Sequence, residues 1–132
     1  MAKEILVNDG GAPARIIPLG LANEAISAGQ PVEVMTTGKI RGSTQDFFMS
    51  GIALTDAASG ALVNVVTGSG VIVRAICDQS ASVGDYLNVD TDHLNGIANA
   101  TSHDDAGSHP VGVCLEDGDG ASGNQLLKVL LK

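Results

Sequence analysis

The sequence contains no tryptophan, and Phe47, Phe48 and Tyr86 are its only aromatic residues. Binding of sugars or single-stranded nucleic acid by stacking needs aromatic platforms, so both uses are disfavoured. Positive charge is also scarce: 7 Lys and Arg stand against 15 Asp and Glu, a net charge of −8. A chain of that sign is repelled by phosphate backbones, which argues against a nucleic-acid partner. No apolar run approaches the ~18 residues that a membrane span requires. The Ile5-Leu6-Val7 island is too short for a signal-peptide core, and Glu4 interrupts the charged start. The expectation is synthesis in the cytoplasm with no membrane partner. There are 2 cysteines, Cys77 and Cys114, each in an apolar run. They lack C-x-x-C spacing and basic neighbours, so they read as buried free thiols and not as a disulfide framework or reactive thiolates.

Motifs of catalysis are missing too. Thr37-Gly38-Lys39-Ile40-Arg41-Gly42-Ser43-Thr44 lacks the Gly-Lys-Ser/Thr core of a phosphate-binding loop, and Gly68-Ser69-Gly70 leads into a strand pattern and not a helix; both read as turns. No G-x-S-x-G elbow is present. Asp117-Gly118-Asp119-Gly120 opens like a calcium loop, but Ala121 and Lys128 occupy positions that should carry ligands, leaving an acidic hairpin turn. Residues 90–109 form the longest irregular stretch and hold His93, His103 and His109 among several aspartates. The histidine spacing matches no common zinc site. No catalytic residue, cofactor or metal is assigned.

What the sequence does contain is a repeat. Ser27-Ala28-Gly29-Gln30-Pro31-Val32-Glu33-Val34 is echoed by Ser82-Val83-Gly84-Asp85-Tyr86-Leu87-Asn88-Val89. Gly51-Ile52-Ala53-Leu54-Thr55-Asp56 is echoed by Gly112-Val113-Cys114-Leu115-Glu116-Asp117, and Leu62-Val63-Asn64-Val65-Val66 by Leu126-Leu127-Lys128-Val129-Leu130. The offsets are about 55, 61 and 64 residues, so the insertions fall between the blocks. The echoed residues are turn glycines, alternating aliphatics and a polar residue after a strand. They are the residues of a scaffold.

Short runs rich in Val, Ile and Leu, separated by glycine turns, predict an all-β sandwich or small barrel with an internal duplication. Repeat halves are expected at about 27–77 and 82–132 within one β domain over 21–132. Leu21 to Ile26 is expected to make a short helical turn. Residues 1–20 differ in character. Asn8-Asp9-Gly10-Gly11-Ala12-Pro13 signals a loop between the apolar islands Ile5-Leu6-Val7 and Ile16-Ile17. The stretch reads as an extended N-terminal arm that orders against a partner, or as a first strand paired into the sheet. On the arm reading, Ile5, Leu6, Val7, Arg15, Ile16 and Ile17 are the candidate contacts to that partner or to other copies, and removal of 1–20 is expected to spare the fold. Charge is partitioned as well: residues 1–41 are balanced, while residues 42–132 carry the whole −8. A neutral docking end and an acidic solvent-facing end fit that division, as does a simple solvated acidic surface.

Residues 28–34, 51–60, 83–90, 111–117 and 127–131 together resemble the small head proteins of tailed bacteriophages. The similarity is to capsid decoration (cement) proteins and, more distantly, to the lambda-type head decoration protein. It covers roughly residues 27–132, and the stretch 90–109 and the N-terminus depart from it. The resemblance implies a non-enzymatic virion protein on the capsid exterior. Its partners would be the major capsid protein and itself, as a homotrimer, and it would stabilise the expanded shell by cementing neighbouring capsomers. Strands apolar on both faces, as in residues 62–66, 71–73 and 126–131, fit burial in such an assembly. Other readings are a carbohydrate- or receptor-binding module using 90–109, a small β-fold hydrolase, and a tail or head-closure subunit.

Overall fold

The computed structural model describes residues 5–8, 15–43, 49–78, 82–89, 97–99, 112–118 and 124–131. All regular elements among them are strands, and they form two sheets. The first sheet contains β2 (Arg15–Leu21), β3 (Pro31–Val34), β4 (Ile40–Gly42), β5 (Gly51–Ala53) and β6 (Leu62–Thr67), in the order β2-β6-β5-β3-β4. The second contains β7 (Ile72–Asp78), β8 (Tyr86–Val89), β9 (Ile97–Asn99), β10 (Gly112–Cys114) and β11 (Asn124–Leu131), in the order β7-β11-β10-β8-β9, with β1 (Leu6–Asn8) added outside β7.

The two orders are the same topology written twice. Every neighbour pair is antiparallel, and among the described residues of each sheet a parallel bridge joins the two ends: Ala22 to Ile40 in the first, Cys77 to Ile97 in the second. The registers also correspond. Val32 faces Gly51 as Leu87 faces Gly112, and Ile52 faces Val66 as Val113 faces Leu130. Leu21 faces Leu62 as Ile76 faces Leu126. The echoes in the sequence are therefore structural equivalents, element by element.

The repeated glycines have a steric cause. A Cβ on Gly51 would stand 2.9 Å from the Val66 carbonyl oxygen, and one on Gly112 would stand 2.7 Å from the Leu130 carbonyl oxygen. The backbones approach too closely there for any side chain. The β-branched residues of β6 and β7 alternate between faces, as the period of two requires. Val63 and Val65 point into a core with Ile26, Val32 and Ile40 inside the first sheet. Val66, Ile52 and Ala28 point the other way and join Val73, Cys77, Leu87, Leu127 and Val129 in a second, larger core. That shared core ties the two units together.

Several expectations are revised by tertiary pairing. Residues 21–26 make no helical turn: Ala22 bridges Ile40 and Ile26 bridges Ala57, so their backbone groups go to partners distant in sequence. Residues 40–42, read as part of a turn, form β4, and residues 97–99, inside the stretch read as irregular, form β9. The halves expected at 27–77 and 82–132 place β7 in the first half. The strand order makes β7 the counterpart of β2, which groups it with the strands that follow it. Among the described residues of the stretch 1–20, residues 6–8 and 15–20 lie in strands. β1 pairs with β7, and β2 pairs with β6 through a bulge at Pro18, where an edge strand tolerates a proline. Loss of 1–20 would remove β1 and most of β2.

Candidate functional site

In each unit the β2–β3 or β7–β8 turn is clasped in the same way. Ala28 N–H donates to Asp56 Oδ1 at 2.7 Å, and Val83 N–H donates to Asp117 Oδ1 at 2.9 Å. Ser27 N–H donates to Gln30 Oε1 at 3.0 Å, and Ser82 N–H to Asp85 Oδ2 at 2.8 Å. The next residues, Gly29 and Gly84, have φ of 89° and 91°, a left-handed conformation that glycine adopts without a Cβ penalty. Their N–H groups donate to Ala53 O and Cys114 O, each at 2.8 Å. Asp117 follows the sequence pattern of an acidic hairpin turn, and in the structure its carboxylate fixes a turn distant in sequence. The signal was available, since Asp56 and Asp117 are matched in the repeat.

The two clasps differ in what surrounds them. Ala28 is 4% exposed and Gly29 is buried, because the first turn lies on β7 and β11 of the second unit. Gly29 O accepts from Ile76 N–H at 2.8 Å, and a Cβ on Gly29 would meet Leu126 Cδ2 at 2.5 Å. The second turn is open: Val83 is 59% exposed, and a Cβ on Gly84 would meet no atom of the described residues within 4 Å. The strand positions that would receive such a turn on the first unit are open too. Leu21 and Leu62, the counterparts of Ile76 and Leu126, are 52% and 50% exposed.

Of the candidate contact residues, Ile5 is in the core, and its carbonyl accepts from Arg74 N–H at 2.7 Å. Leu6 is half-buried opposite Val73. Val7, Arg15, Ile16 and Ile17 are exposed. Leu21 stands opposite Leu62 and Ile16 opposite Val66, so the exposed side chains of Ile16, Leu21 and Leu62 share one face of the β2–β6 pair, while Ile17, opposite Val65, lies on the other. The structure thus separates the six: two support the fold and four remain on the surface.

The histidine-bearing stretch 90–109 lies outside the described residues except for β9, and so does Asp119. Among the described residues no group of three or more His, Cys, Asp and Glu side chains is placed to hold a metal ion. Cys77 and Cys114 are buried and are not joined in a disulfide. Burial raises the Cys114 thiol above its ordinary pKa, a backbone hydrogen bond with Glu116 opposes that, and the nearby carboxylates of Asp85, Asp117 and Glu116 add to the rise. One carboxylate is buried with a partner: Glu33 on β3 faces Arg41 on β4, with Oε1 and Nε 2.7 Å apart.

No protein-family model matches the sequence, and no curated protein matches it. Among solved structures the chain is similar to the N base of head fiber gp8.5 in bacteriophage phi29, with a TM-score of 0.67 and 16% identity, over 91% of this chain and 93% of that one. At that identity what the two chains share is the all-β fold.

Proposed function

We propose that this chain is a structural virion protein that binds the outer surface of a tailed-phage capsid, associates with itself as a homotrimer, and stabilises the expanded shell by cementing neighbouring capsomers. The observation that carries this reading is the likeness in fold, over nearly the whole length of both chains, to the base of a phage head fiber. The resemblance of the glycine-and-valine blocks to capsid decoration proteins points the same way from the sequence. The surface agrees: the exposed apolar side chains of Ile16 and Ile17 on β2 sit in the charge-balanced part of the chain. Val7, Arg15, Ile16 and Ile17 are the residues assigned to the shell. The mechanism is stoichiometric binding, with no bond made or broken.

The test is co-sedimentation with empty expanded capsids of the phage that encodes the chain, followed by thermal dissociation of the loaded shells. Saturable binding and a raised dissociation temperature support the reading. A chain that stays in the supernatant at all concentrations overturns it. Binding without a rise in temperature removes cementing and leaves attachment. A variant with Ile16→Asp and Ile17→Asp is expected to bind weakly while keeping its fold.

A further inference from the structure

The duplication supplies a template for how one copy meets another. Inside the chain, the clasped turn of the first unit seats on the β7–β11 pair of the second, with Gly29 over Leu126 and Ile76 and a backbone hydrogen bond from Ile76 N–H to Gly29 O. Each unit carries the same turn and the same strand pair, but a chain of two units uses only one of each. The second unit's turn, with Val83 and Gly84, and the first unit's strand pair, with Leu21 and Leu62, are left over and exposed.

We infer that these two leftover surfaces bind each other between copies of this chain, head to tail. The turn at Val83 and Gly84 of one copy seats on Leu21 and Leu62 of the next. Three features carry this. The turn backbones match, with φ of 89° at Gly29 and 91° at Gly84. The receiving pairs match in register, Leu21 opposite Leu62 and Ile76 opposite Leu126. The backbone orientation matches as well. Ala22 N–H donates to Ala61 O at 2.8 Å, so Leu21 and Leu62 form a pair that exchanges no hydrogen bond, and Leu21 N–H faces away from β6 as Ile76 N–H faces away from β11. Val83, where the first unit has Ala28, adds apolar area to the contact. The two surfaces are different, so the contact is heterologous and closes into a ring or continues as a filament. The inference rests on the self-association part of the proposed function and is independent of capsid binding.

The test uses Val83→Asp and Leu62→Asp, both at exposed sites, with circular dichroism confirming that each variant is folded. Light-scattering mass after size exclusion is expected to show wild type at a multiple of the 13.3 kDa chain mass and each variant at the mass of one chain. Mixing the two variants restores one contact per pair, because the Leu62→Asp copy keeps an intact turn and the Val83→Asp copy keeps an intact strand pair. The mixture is therefore expected to give a 1:1 dimer that goes no further. Variants that assemble as wild type does overturn the inference while leaving self-association standing. A monomeric wild type overturns both, and co-sedimentation with capsids reads the shell-binding proposal separately. A mixture that stays monomeric overturns the head-to-tail arrangement.

Discussion

Asp117 holds the Val83 amide in the second unit as Asp56 holds the Ala28 amide in the first, at 2.9 and 2.7 Å. The same carboxylate is thus placed twice, 61 residues apart, for the same backbone task. The first clasp is buried against β7 and β11 while Val83 at the second is exposed, so equivalent substitutions in the two units will differ in cost.

Asp56→Ala leaves the buried Ala28 amide without its acceptor and is expected to cost about 1–3 kcal/mol. Asp117→Ala exposes the Val83 amide to water and is expected to cost about 0.5–1 kcal/mol. Urea denaturation of the two variants at one pH reads the difference. Equal losses would show that burial of the clasp does not matter.

Gly84→Ala and Gly29→Ala test the same turn in two settings. At Gly84 there is room, and the cost is the left-handed backbone alone, about 1–2 kcal/mol. At Gly29 the added methyl lands 2.5 Å from Leu126 Cδ2, so the contact between the units must also shift. Gly29→Ala is expected to lower the melting temperature further than Gly84→Ala. The reverse order would mean that the first turn does not seat on β11.

Ile5→Ala reports whether the start of the chain belongs to the core. Ile5 is among the largest fully buried side chains. Truncation of such a residue costs about 2–5 kcal/mol through lost transfer energy and a residual cavity. A change under about 0.5 kcal/mol, the range of surface substitutions, would mean that the N-terminal stretch is an appendage.

Cys114 is expected to resist thiol reagents in the native protein at neutral pH and to label fully in denaturant. Its thiol is buried, and its pKa in the fold lies above the ordinary value of 9.0. The native state therefore binds this proton more tightly than the unfolded chain does. The stability that follows is fully present below pH 9.0 and is lost as pH rises through the higher native value. Labelling by a thiol reagent over a pH series, with and without denaturant, checks both points. Rapid native labelling at pH 7 would contradict the burial.

The sequence by itself determined the all-β class, most of the strands and the internal duplication. Those features are local or periodic: β-branched residues alternating in 62–66 and 71–77, and glycine at positions 29, 51, 84 and 112 where the backbone demands it. It did not disclose β4 or β9, and it left residues 1–20 open between an arm and a first strand. These segments carry weak patterns of their own, such as Ile40-Arg41-Gly42 and Ile97-Ala98-Asn99, and they become strands by pairing with β3, β8 and β6. Only the tertiary structure decided that Asp56 and Asp117 are clasps, since each reaches a turn far from it in the chain. It also decided that Ile5 is interior while Ile16 is on the surface, because nothing in either apolar island states which side of a sheet it meets. The same holds for the two turns. Gly29 and Gly84 are alike in sequence and conformation, and one is buried and the other open because two units in one chain form a single contact and leave one face of each kind unused.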